Sequence, residues 1–156
     1  MKGNILLLDP DGDMGAAVLE AAAKTHRLVQ FARTVRDALE MLMEPDTHIE
    51  LVLVDLDLGG HGIAMIEALS LSAKPPVIAF TELEECYMEP IVRRHGGVGC
   101  VSKPIPIQKL AETIEKTIAE YCGCPRCSSD RWGHPRERFD ASLLHPAQLE
   151  TAGGKT

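Results

Sequence analysis

Four apolar runs in this chain end in residues able to hold or transfer charge. "NILLLD" (4–9) closes on Asp9, and Asp11 follows it across Pro10. "ELVLVD" (50–55) closes on Asp55 with Asp57 close behind, Thr81 follows "PPVIAF" (75–80), and Lys103 follows "VGCVS" (98–102). Carboxylate oxygens are hard ligands that suit Mg2+, an ion that takes few protein ligands and keeps several waters. A further carboxylate can attack a phosphoryl group as nucleophile. Metal, ammonium and hydroxyl would then balance the charge on the transferring oxygens. Singly, each residue has an ordinary explanation. An Asp closing a strand is commonly a turn or cap residue, a Thr there is commonly an N-cap, and a Lys before Pro is commonly solvated. Four of them at the ends of four runs are harder to explain one by one.

The runs themselves say what must position these residues. Stretches 4–9, 50–55 and 75–80 are apolar at consecutive positions, which suits central strands of a parallel sheet covered on both faces. "RLVQFA" (27–32) and "VGCVS" (98–102) are weaker strand candidates. Between them, residues 13–25 predict a helix with Asp13 as N-cap, and 34–45 one that stops at Pro45. Residues 62–72 and 106–121 carry the same 3–4 spacing, the latter with Pro106 near its start. Pro90 interrupts 82–95, so the fourth helix is expected to be short or kinked. The order βαβαβαβαβα predicts an α/β fold, a doubly wound five-stranded parallel sheet with right-handed crossovers. Ligands of such sheets bind beyond the carboxyl ends of the strands, where Asp9, Asp55, Thr81 and Lys103 would converge.

Composition narrows the class. The 156 residues fit one domain with an appendage, and 45% hydrophobic content is enough for a core. Mean hydropathy is near zero (−0.03), and no apolar run approaches the roughly 18 residues that span a bilayer. A strand entered within four residues of Met1 argues against a signal peptide. A net charge of −7, from 23 acids and 16 bases, argues against nucleic acid as a partner. Five cysteines, an odd number, do not make a secreted disulfide framework, so the chain reads as cytoplasmic.

Domain organisation follows the same change in character. Residues 1–121 form the predicted domain and carry −8, whereas 122–156 carry +1, hold three cysteines and the single Trp, and lack a clear period. "CGCPRC" places Cys122, Cys124 and Cys127 near His134, a set with the ligand types of a Cys3His zinc site. No hairpin pattern orders it, so zinc is not the favoured reading and an irregular tail with free thiols is. "FDASLLHPAQL" has Asp140 as an N-cap candidate and Phe139, Leu143 and Leu144 as a small apolar patch.

With these residues in view, the chain over residues 3 to about 121 resembles the receiver domains of bacterial two-component response regulators, whose fold is flavodoxin-like, (βα)5. "ILLLDPDGDM" resembles the family's acidic opening, "LVLVDLDLGGHG" the end of its third strand, "VIAFT" the end of its fourth, and "CVSKP" the lysine and proline after its fifth. The resemblance implies Asp55 as phosphoacceptor, Thr81 as the switch hydroxyl and Lys103 as the conserved ammonium of the family. It implies Mg2+ on Asp9, Asp55 and the backbone carbonyl of Asp57, and a cis Lys103–Pro104 bond. It also implies a sensor histidine kinase or phosphotransfer protein as partner, and a homodimer through the fourth helix, fifth strand and fifth helix. No enzymatic turnover is expected beyond self-catalysed phosphorylation and dephosphorylation.

The chain departs from the family's pattern in four places. The second acid of the pocket falls on Pro10, with Asp11 a substitute only if the chain turns sharply, so Mg2+ binding is expected to be weak. The aromatic switch position falls on Cys100. The loop after Asp55 is one residue short and lacks its usual proline, and Pro90 stands in the fourth helix. Two other readings compete. A pseudo-receiver scaffold is favoured by Pro10 and Cys100 and opposed by Asp55, Thr81 and Lys103. A haloacid-dehalogenase-type phosphatase would use Asp55 as nucleophile and Asp57 as acid/base, but lacks late paired carboxylates and a cap domain.

Overall fold

Three continuous apolar runs become the middle of one sheet. The computed structural model describes residues 3–9, 12–56, 62–72 and 75–122. Pro10, Asp11, Asp57, Cys124, Cys127 and His134 lie outside the described residues. β1 (Asn4–Leu8), β3 (Ile49–Asp55) and β4 (Val77–Thr81) are those apolar runs. The weaker candidates are β2 (Val29–Ala32) and β5 (Gly99–Ser102). All pair in parallel in the order β2-β1-β3-β4-β5, so the two strands of mixed pattern take the two edges. An edge strand has only one neighbour and needs less apolar surface, which is why its sequence signal is the weaker one.

The helices α1 (Gly15–Lys24), α2 (Val35–Met43), α3 (Gly62–Ser72), α4 (Glu85–Arg94) and α5 (Ile107–Cys122) alternate with the strands. Period-two alternation sends Ile5 and Leu7 of β1, with Leu51 and Leu53 of β3, against α1 and α5. Leu6 and Leu8, with Val52 and Val54, face α2, α3 and Val92 of α4. These strand residues are fully buried, and each contributes roughly 2 kcal/mol from burial. Two helices on one face and three on the other make the flavodoxin-like, doubly wound arrangement expected from the pattern.

Two local expectations need correction. Asp13 does not cap α1. The cap position is Met14, in helical conformation and without a side-chain bond, because the carboxylate of Asp9 already reaches the turn (below). The fourth helix is not short: it runs through Pro90 for ten residues. Proline removes only the bond to the carbonyl four residues back, here Cys86 near the helix start. The far half is held by the buried Val92 and by the His95 and Gly97 N–H groups, both donating to the Val92 carbonyl.

At the amino-terminal end of the sheet, Arg27 is a buried cation that the strand pattern did not single out. Its Nε donates to Glu50 of β3 at 2.9 Å and its Nη1 to Glu115 of α5 at 2.8 Å. Burial alone would depress its pKa. Hydrogen bonds and charge attraction from Glu50 and Glu115 outweigh that and hold it above the ordinary value.

Candidate functional site

Parallel pairing delivers the charged residues to one edge. Leu8 lies opposite Val54, so Asp9 and Asp55 follow on neighbouring strand ends. Both continue the alternation of Leu7 and Leu53 and so fall on the α1/α5 face. Thr81 ends β4 beside Ser102, and its carbonyl accepts from the Lys103 N–H at 2.7 Å, which fixes the chain just before α5.

Asp55 is 1% exposed. A carboxylate so buried needs a counter-charge or it neutralises. Lys103 supplies it: Nζ stands 3.1 Å from both Oδ1 and Oδ2, with its own side chain 13% exposed. The peptide bond after Lys103, to Pro104, is cis, as the resemblance implied. Behind Asp55 the chain returns closely at Gly62, where an added Cβ would stand 2.8 Å from the Leu56 backbone. Only glycine fits that approach, at the first residue of α3.

Asp9 is also buried, and it organises the turn after β1. Its Oδ1 accepts from the Gly12 N–H at 3.0 Å and its Oδ2 from the Met14 N–H at 2.8 Å. Gly12 has φ 77°, a left-handed conformation natural to glycine. Asp9 thus holds the entry to α1 in the way an N-cap would.

Thr81 is buried, and its Oγ1 accepts from the Leu83 N–H at 3.0 Å. Ser102 Oγ donates to the Leu83 carbonyl at 2.8 Å. Leu83 is therefore gripped by both of its backbone polar groups just ahead of α4. Sequence reading named Ser102 only as part of "CVSKP", and no spacing rule signals this grip. Cys100 lies buried in β5 beside Ala79, packed in the cluster that includes Val92 of α4.

The geometry thus joins Asp9, Asp55, Thr81 and Lys103. Asp11 and Asp57 fall outside the described residues, as do three of the four zinc candidates; Cys122 is the last residue of α5. Among the described residues no group of three or more His, Cys, Asp or Glu gathers as a metal site. Two buried carboxylates at adjacent strand ends are nevertheless the hard oxygen donors that suit Mg2+, which needs few protein ligands.

Solved structures share this fold. A response regulator from Thermotoga maritima superposes with TM-score 0.68 at 21% identity, over 76% of this chain and 99% of that one. A CheY-like receiver domain protein from Methanospirillum hungatei gives 0.64 at 20% identity, over 78% and 97%. NtrX from Brucella abortus gives 0.70 at 21% identity, over 84% of this chain and 30% of that longer one. No curated protein matches the chain by sequence. The family model for the response regulator receiver domain matches residues 5–115, a span that holds β2 to β5, β1 from Ile5 on, and the four converging side chains, and the chain belongs to that family.

Proposed function

We propose that the chain accepts a phosphoryl group on Asp55 from a histidine kinase or phosphotransfer protein and relays the signal through protein contacts. The observation that carries this reading is the buried Asp55 carboxylate with Lys103 Nζ equidistant from its two oxygens. One oxygen attacks phosphorus, the bond from phosphorus to the donor nitrogen breaks, and an acyl phosphate forms on Asp55. The attacking oxygen exchanges its contact with Lys103 for phosphorus. The ammonium then follows the negative charge onto the phosphoryl oxygens, where a charge-assisted hydrogen bond is strongest. In this reading Thr81 donates its hydroxyl proton to the same oxygens, and its own oxygen accepts from the Leu83 N–H, which supports the role.

Mg2+ bound by Asp9 and Asp55, with the Asp57 carbonyl and Asp11 as further candidates, would supply positive charge beside the transferring group. The chain's own contribution is to hold Asp9 rigidly through Gly12 and Met14 and to keep water from Asp55 by burial. The work of the domain is then stoichiometric, one phosphoryl group per cycle, in a cytoplasmic setting where such kinases deliver it. In this reading residues 1–121 are the receiver and the residues after them a separate tail. A receiver among the structural relatives is a beryllofluoride-activated dimer, that of NtrC4; a homodimer of this chain is an outcome read directly in the experiment of the next subsection.

Intact mass after incubation with acetyl phosphate and Mg2+ tests the reading. The wild type should gain one phosphate and Asp55→Asn none. Equal uptake by Asp55→Asn would refute the assignment, and no uptake by the wild type would leave the pseudo-receiver scaffold.

A further inference from the structure

α4 carries an apolar stripe on its outer side. Leu83, Tyr87 and Ile91 recur at intervals of four residues and are 59%, 69% and 42% exposed. That interval puts them on one side of the helix and its entry, while Val92 turns into the core. Apolar side chains scattered singly need no explanation, but three in a row mark a contact surface. The same stretch is acidic, with Glu82, Glu84, Glu85 and Glu89 and no Lys or Arg before Arg93. Its ligand should therefore be apolar and basic.

The chain itself contains such a segment. Within residues 126–148, Arg126, Arg131, Arg136 and Arg138 outnumber Asp130, Glu137 and Asp140, and the arginines precede the apolar Phe139, Leu143 and Leu144. Phe139 and Leu143 share the four-residue interval of the stripe. Reach is not limiting. Residues 123–138 join the end of α5 to Phe139, and as a coil they span roughly 22 Å on average. α4 is about 15 Å long. α5 packs on one face of the sheet with Val101 and α4 on the other with Cys100, so the connection has only to round the edge at β5.

We propose that residues 126–148 bind the Leu83–Tyr87–Ile91 face of α4, with Phe139, Leu143 and Leu144 on the stripe and the arginines toward the glutamates. The tail is an internal ligand of this helix, and any outside partner of the stripe must displace it. Tethering gives the segment an effective concentration on the order of millimolar, so even a weak contact is largely formed.

Amide hydrogen exchange of the full chain tests this without any phosphodonor, so its outcome is separate from that of the Asp55 experiment. In Leu143→Asp/Leu144→Asp, amides of residues 87–94 should exchange several-fold faster than in the wild type, while those of β1 and β3 stay unchanged. A synthetic peptide of residues 126–148 should restore the slow exchange in that variant. It should have no effect when Tyr87→Ser, an exposed position, is added. Exchange at α4 that is equal in the wild type and the tail variant would overturn the proposal. So would protection that grows with protein concentration and ignores the tail variant, because the occupant would then be a second copy of the chain.

Discussion

Asp9 commits both carboxylate oxygens to the backbone of the turn behind it, at 3.0 Å to Gly12 and 2.8 Å to Met14. A carboxylate that already balances two N–H groups offers a cation less than one standing alone. Pro10 adds no ligand, and its ring confines Asp9 to extended backbone, which keeps the carboxylate at the strand end. We expect a site that binds Mg2+ weakly, and Pro10→Asp should tighten it by about tenfold, the value of one added charge contact near a surface. Mg2+ titration of the two proteins is the measurement. Equal affinities would mean that Asp11 already serves as the third acid. Most of this site was legible from residues alone, because Asp55, Thr81 and Lys103 each end an apolar run and a parallel sheet gathers such ends on one side. The pair of hydrogen bonds that Asp9 accepts from its turn was not legible. Asp13 had the better cap position in the sequence, and only the left-handed Gly12 brings the Gly12 and Met14 N–H groups back to Asp9.

At the scale of elements, the connection between the site and α4 runs through Leu83. Thr81 Oγ1 takes its N–H and Ser102 Oγ gives to its carbonyl, so strand ends β4 and β5 jointly fix where α4 begins. With Cys100 where the family's pattern has an aromatic ring, a swinging side chain is not available to carry a signal to that surface. The backbone of Leu83 is a link that both strand ends touch. If Thr81 turns its hydroxyl toward a phosphoryl group, the Leu83 N–H must adjust to the new geometry, and the stripe that begins at Leu83 shifts with it. Thr81→Ala should therefore raise the exchange rate of the Leu83 amide by about fivefold, for a bond worth about 1 kcal/mol. Ser102→Ala should loosen the same segment while leaving β1 and β3 untouched. Unchanged exchange at residues 83–88 in both variants would rule out this link. The central strands were readable because both their faces are apolar. The length of α4 was underestimated because Pro90 was weighed without the burial of Val92 that holds the far half of the helix.

Over the whole molecule, the two ends of the sheet have different tasks. The carboxyl ends gather the chemistry, and the amino ends carry a charge cluster that ties α5 to the sheet. Arg27, with a side chain 5% exposed, bridges Glu50 of β3 and Glu115 of α5. A single arginine inside a weak strand pattern gives no hint of this, since its partners lie 23 and 88 residues away in sequence. Glu50 is the costlier partner to abandon, at 14% exposure against 47% for Glu115. Arg27→Met should therefore lower unfolding stability by about 3 kcal/mol, much of it the penalty of a half-buried Glu50 left without its cation. Arg27→Met with Glu50→Leu should recover most of the loss, because replacing both charges removes the stranded one. The pH dependence has a definite sign. A cation whose folded pKa is raised contributes in full below its already very basic unfolded value, and the contribution is lost only as pH climbs through the still higher folded value. The gap between wild type and Arg27→Met should accordingly stay flat from about pH 7 to about pH 10, read as urea midpoints at constant slope. A gap that closes across that interval would show that another titrating group, and not the Arg27 bridge, holds α5 to the sheet.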